Sequence, residues 1–125
     1  EAFERTIVYL KERKQFGVPI GSFQALKHRA ANMFVEVELS RSIVLDALRA
    51  IDENRADLPQ LASVAKARVS EAIHLIGNEA VQMFGGIGVT DEEESGLFLK
   101  RARTAEQTLG DAGYHRDRFA KLGGY

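Results

Sequence analysis

Apolar residues recur along this chain at three- and four-residue steps, the rhythm of helices that bury one face. From Glu1 to Lys14 they fall at Phe3, Ile7, Tyr9 and Leu10 among charged residues, and Gly17 and Pro19 stop the run. A second run carries Leu26, Ala30, Met33, Val37, Val44, Ala47 and Ile51, with Ser40 in the one polar place of the seam. Ser22 is its predicted N-cap, and about thirty helical residues reach on the order of 45 Å. Asn54, Arg55, Ala56 and Asp57 form a turn, and Pro59 stands where a first-turn proline belongs. A third helix is predicted from Leu58 to Phe84, with Leu61, Ala65, Val69, Ile73, Ile76, Ala80 and Met83 inside and Gly85, Gly86 and Gly88 ending it. The acidic stretch Asp91 to Ser95 favours a helix start, so a fourth helix is predicted from about Glu93 to Thr108 around Leu97, Phe98, Ala102 and Ala105. Gly110 and Gly113 interrupt it, and Tyr114 to Leu122 is a short last helix. No segment reads as a strand. The pattern predicts an all-α fold: an up-and-down antiparallel four-helix bundle with a short extra C-terminal helix, as one domain over residues 1–125.

Composition narrows the chemistry. A chain of 125 residues can bury one core. A net charge of −1, with the cations spread along the chain, gives no drive toward nucleic acid or anionic membrane. The absence of cysteine excludes disulfides, thiolate metal sites and cysteine nucleophiles, and suits a reducing compartment without proving one. No apolar run approaches the roughly 20 residues of a membrane span. The opening segment lacks Met and is already in helical rhythm, which reads as a cut through a longer protein. His28 and His74 have no second ligand three or four residues on, so no metal site is predicted. His115 lies four residues after Asp111, the spacing of a surface helical pair. GGIG lacks the strand context of a dinucleotide fold, and no GxSxG is present.

Two short motifs, whose first residues are sixty-nine positions apart, carry candidate chemistry. In RKQFG, Arg13 to Gly17, a basic helix end followed by a glycine stop is the plain reading. The functional one gives the Arg13 guanidinium a phosphate and the Phe16 ring a nucleobase. In QMFGGIGVTDE, Gln82 to Glu92, the double glycine is either a helix cap or a place where backbone comes close to an anionic ligand. The residues alone leave both readings of each motif open.

Taken together and in this order, the motifs resemble the C-terminal helical domain of acyl-CoA dehydrogenases, and the resemblance runs over essentially all 125 residues. It implies that Arg13, Gln15 and Phe16, with Gly17 after them, reach an FAD bound mainly by a neighbouring subunit. Phe23 and Gln24 match the step that opens the next helix, and Gln24 is implied as a further contact. Gln82, Gly85 and Gly86 are implied to wrap the adenosine diphosphate part of FAD, with Gly88, Val89 and Thr90 as the usual continuation. Ser95 to Arg103 matches a run that seats the last helices, and Lys100 and Arg101 are assigned no chemistry. The amino-terminal helical domain and the middle β-domain of such enzymes have no counterpart here. The implied activity is α,β-dehydrogenation of an acyl-CoA thioester. The implied partners are acyl-CoA, a second copy or homologous subunit in a dimer or tetramer, and an electron-accepting flavoprotein. The isolated chain is expected to be inactive, and the whole is expected in a bacterial cytoplasm.

One position departs from the pattern. Many members carry their catalytic base as a Glu before a Gly, twenty-seven residues after the glutamine of the second motif, and here that place holds Leu109, then Gly110. Leucine takes no proton, so no catalytic residue is assigned. Three readings follow: a base on the helix just upstream, a non-catalytic subunit in a mixed oligomer, or substitution by Asp111 or Glu106. Asp111 fits better as a cap for the last helix. Two alternatives stand beside the dehydrogenase. One is a stand-alone, self-associating helical module with an exposed apolar groove. The other is a flavin-dependent relative such as an acyl-CoA or nitroalkane oxidase.

Overall fold

The computed structural model describes residues 1–90 and 95–125. Its helices are α1 (Ala2–Glu12), α2 (Gln24–Asp52), α3 (Leu58–Phe84), α4 (Ser95–Gln107) and α5 (Ala112–Leu122). Short 3₁₀ turns lie at Ile20–Ser22 and Gly85–Val89. The all-α bundle is thus present, four helices and a short extra one. The predicted start of the fourth helix at Glu93, with the acidic residues from Asp91, lies outside the described residues.

α3 is the hub: α1, α2, α4 and α5 all pack on it. Its predicted stripe buries Ala80 and Met83 fully, but Ser63, Ala67, Ser70 and Gly77 are buried too. These small residues let α4 and α5 approach a second side of the helix. A Cβ on Gly77 would already lie 3.1 Å from Leu99 Cδ1. The buried hydroxyls keep partners. Ser63 Oγ donates to the Pro59 carbonyl (3.2 Å) and accepts from Arg118 Nη1 of α5 (2.6 Å). Leu10, Ile20, Met33 and Met83 form the core where α1, α2 and α3 meet.

Four local expectations are corrected. Ser22 does not cap α2; its hydroxyl donates to the Pro19 carbonyl at 2.7 Å inside the 3₁₀ turn that buries Ile20, and Phe23 holds the N-cap position without a side-chain bond. A minimal antiparallel pair does exist, β1 (Lys14–Gln15) with β2 (Val18–Pro19), because the chain must double back between α1 and α2. The α2 seam drifts along the helix. Met33 and Ala50 are buried, while Val44 and Ile51 turn outward. With Leu45 and Leu48 they leave an apolar strip on α2 that is exposed among the described residues. His115 does not pair with Asp111; its Nε2 lies 3.0 Å from the Leu109 carbonyl oxygen.

The α2–α3 turn is clipped by Arg55, which donates to Asp46 (2.8 Å) and Asp57 (3.0 and 2.6 Å). Asn54 takes the left-handed conformation that lets the chain reverse (φ 51°). The Arg55 guanidinium holds the Asp57 carboxyl below its ordinary range. The clip is therefore complete above the ordinary aspartate pKa and is lost as pH falls through the lowered one.

Candidate functional site

The end of α1 and the end of α3 are tied together. Tyr9 Oη donates to the Phe84 carbonyl (3.2 Å), and the two rings stack with centroids 4.3 Å apart. This puts Arg13, which closes α1 with its N–H on the Tyr9 carbonyl (2.8 Å), beside the glycines that close α3. The Arg13 guanidinium has no partner among the described residues. Its carbonyl accepts from the Ile20 N–H (2.8 Å), which anchors the hairpin that follows.

That hairpin turns on Phe16 (φ 53°) and Gly17 (φ 80°), both left-handed, the geometry that matches strand twist across a two-residue loop. Glycine adopts it freely, whereas a phenylalanine there costs on the order of 1 kcal/mol. Phe16 gains no burial in return. It is 89% exposed, and its one ring contact among the described residues is edge-on to Phe23, with centroids 6.0 Å apart. A strained residue holding an aromatic ring in the open fits a ligand contact better than a folding role.

The three glycines after α3 differ in kind. Gly88 is required by packing, since a Cβ would lie 2.8 Å from both Phe84 Cβ and the Val81 carbonyl oxygen. Gly85 is required by its backbone (φ 67°). Gly86 has neither reason; a Cβ there meets nothing within 4 Å and its φ is not positive. An open glycine leaves its backbone free for close approach by a ligand.

Arg13, Gln15, Phe16, Gln82, Gly85 and Gly86 all line one cavity of about 550 Å³. Gln24, the seventh predicted contact, is exposed at the start of α2 and is not on the wall, although its neighbour Phe23 is. Tyr9 and Arg29 are wall residues outside both motifs, and Phe84 and Ile87 lie inside the second without an assigned contact. The available signal was helical spacing. Arg29 lies three residues past Leu26 on α2, and Glu79, its ion-pair partner, three before Gln82 on α3.

Leu109 lies elsewhere. It forms the α4–α5 turn with φ 61°, is 86% exposed, and is followed by Gly110 at φ 100°. It lines a different cavity, with Lys66, Arg101, Thr104 and Thr108. Lys100 and Arg101 are exposed there without an ion pair among the described residues. Glu106 is engaged by Arg103 (3.1 Å) and His74 (3.3 Å). Asp111 is the N-cap of α5, its Oδ1 accepting from the Tyr114 N–H at 2.8 Å. Asparagine caps as well as aspartate, so Asp111→Asn is expected to leave both stability and turnover of the assembled protein unchanged. Asp111→Ala is expected to cost about 1 kcal/mol in denaturant unfolding without loss of turnover. A large fall in turnover for Asp111→Asn would instead make that carboxylate the base.

Residues 1–123 match the family described as acyl-CoA dehydrogenase, C-terminal domain. The chain belongs to the acyl-CoA dehydrogenase family. Acyl-CoA dehydrogenase IpdE2 of Mycolicibacterium smegmatis is 45% identical over 107 residues, which are 84% of this chain and 32% of that protein. Among solved structures, an FAD complex of PigA superposes with a TM-score of 0.93 at 27% identity, over 98% of this chain and 32% of PigA. A glutaryl-coenzyme A dehydrogenase–glutaryl-CoA complex gives a TM-score of 0.92 at 33% identity, over 98% and 31%. The chain thus spans about a third of the length of the relatives it matches. Within the acyl-CoA dehydrogenase family it corresponds to the C-terminal helical domain, as the resemblance implied.

Proposed function

We propose that the Arg13 cavity takes the adenosine diphosphate half of an FAD held mainly by a neighbouring subunit, in an assembly that dehydrogenates an acyl-CoA thioester between Cα and Cβ. The carrying observation is the convergence of Arg13, Gln15, Phe16, Gln82, Gly85 and Gly86 on one wall from two separate helix ends. Each has work that suits it. Arg13 offers a planar edge to phosphate oxygens, the two glutamine amides can donate and accept, Phe16 presents a ring face, and Gly85 and Gly86 leave room for backbone contact. An FAD complex and a glutaryl-CoA complex of proteins sharing this domain support the cofactor and the substrate class. FAD, when bound, supplies the two-electron acceptor for the β-hydride.

The α-proton needs a base that Leu109 cannot be. In this reading the base comes from a helix upstream of this domain or from a partner subunit. The partner reading, in which this is the non-catalytic subunit of a mixed oligomer, is favoured by Leu109 itself. Its turn, left-handed at Leu109 and again at Gly110, presents an exposed side chain that takes no proton. The exposed strip on α2 suits contact with a second copy or a homologous subunit in a dimer or tetramer. An electron-accepting flavoprotein then drains the reduced flavin, in a bacterial cytoplasm.

The test is anaerobic addition of acyl-CoA thioesters to the assembled protein as purified. FAD should be present and its visible absorbance should bleach. A protein that is folded and self-associating but colourless, and that takes up no FAD, would support the stand-alone module instead.

A further inference from the structure

The Arg13 cavity has a second cation on its wall. Arg29 of α2 donates through Nε to Glu79 Oε2 of α3 at 2.5 Å, and both side chains are part-exposed. That bond uses one of the five N–H donors of the guanidinium. The terminal nitrogens have no partner among the described residues. A part-exposed ion pair contributes little to stability, so a strut between helices is a weak account of this one. A guanidinium oriented through Nε by a carboxylate keeps its other edge free for two phosphate oxygens. A diphosphate brings about two negative charges, and Arg13 answers one of them.

We infer that Arg29 is a second guanidinium for the diphosphate of the dinucleotide, and that Glu79 is the residue that positions it. This rests on reading the Arg13 cavity as the dinucleotide site. The Glu79 carboxylate has two opposed effects: it orients Arg29, and its charge repels the diphosphate. Glutamine at position 79 keeps an oxygen for the Arg29 Nε–H and loses the charge, so Glu79→Gln removes the repulsion and keeps the orientation, which fixes the sign of the test.

The experiment is equilibrium binding of FAD to the stripped, assembled protein, with FMN, which lacks the adenosine phosphate half, as a second probe and melting temperature as a third readout. Arg29→Gln should weaken FAD by about 5- to 30-fold, the effect of removing one charge-assisted hydrogen bond. Glu79→Gln should tighten it by about 2- to 5-fold through removal of a nearby like charge. FMN keeps one of the two phosphates, so its affinity should move less than that of FAD in both variants. A purely structural pair predicts something else: both variants lose melting temperature and shift FAD affinity together or leave it alone, and that result overturns the assignment. Should Arg29→Gln fail to fold, Glu79→Gln decides by itself, since affinity that is unchanged or weaker rejects the inference. If Arg13→Ala weakens FAD while Arg29→Gln does not, the Arg29 assignment alone falls. If wild type binds FMN as tightly as FAD and Arg13→Ala changes nothing, the dinucleotide reading falls with it.

Discussion

Arg13→Ala in the assembled protein is expected to weaken FAD retention by about 10- to 100-fold, the range for taking one charge-assisted hydrogen-bonding group away from a diphosphate. The melting temperature should stay within about 2 °C. Both halves follow from the position of the residue. Arg13 is exposed, its guanidinium has no partner among the described residues, and its structural work is done by backbone: an N–H on the Tyr9 carbonyl and a carbonyl under the Ile20 N–H. Truncating the side chain leaves no buried group unpaired and no cavity. The missing charge is felt only by a ligand. The measurement is the FAD-to-protein ratio after exhaustive ultrafiltration, followed beside thermal unfolding. Full FAD content at unchanged stability would remove Arg13 from the site. A fall in both would mean that the residue supports the hairpin, and the distinction between ligand contact and fold would have to be redrawn. Salt offers an independent check, because the wild-type affinity should fall more steeply with ionic strength than that of the variant.

The sequence made the helices legible because their periodic apolar residues are the ones that meet α3. It misled at places where tertiary packing overrides local preference. Ser22 has a good capping side chain, but burial of Ile20 tightens the chain into a 3₁₀ turn and carries the hydroxyl to Pro19. Small residues hid a second buried side of α3, since Ser63, Ala67, Ser70 and Gly77 carry no hydrophobic signal yet admit α4 and α5. The site divides in the same way. Arg13, Phe16, Gln82 and the glycine pair could be named from motif resemblance. Arg29 was marked only by its helical spacing, and an arginine near an apolar seam looks like any solvated cation until Glu79 is seen beside it. Gln24 stands apart from the rest of the set. Its sequence neighbour Phe23 lines the cavity, while the exposed glutamine, first residue of α2, is not on that wall. Strain was invisible throughout. Nothing in the order of residues marks Phe16 or Leu109 as left-handed, although both are non-glycine positions where the backbone would rather be elsewhere.

Phe84→Ala is expected to destabilise the chain by about 3–5 kcal/mol, the range for deleting a buried aromatic ring. Phe84 is 6% exposed, the last residue of α3, and its ring carries the stack on Tyr9 that joins the two halves of the candidate site. The bond from Tyr9 Oη runs to the backbone carbonyl of Phe84, so it has no side-chain partner to lose in the variant. Tyr9→Phe isolates that bond from the packing and should cost only about 1 kcal/mol. The comparison separates two accounts of how α1 is held. If the ring stack dominates, Phe84→Ala lowers the denaturant midpoint at unchanged slope while Tyr9→Phe barely moves it. If the hydrogen bond dominates, the order reverses. Phe84→Leu restores most of the apolar volume but no aromatic face, and should recover more than half of the loss, because hydrophobic swaps of similar size usually cost under about 1.5 kcal/mol. The same series reports on function. Arg13 and Gly85 converge only while the ends of α1 and α3 are clamped, so FAD retention should track the stability of this clamp across the three variants. Stability falling without loss of FAD would show that the ligand, held from the neighbouring subunit, organises the two helix ends for itself.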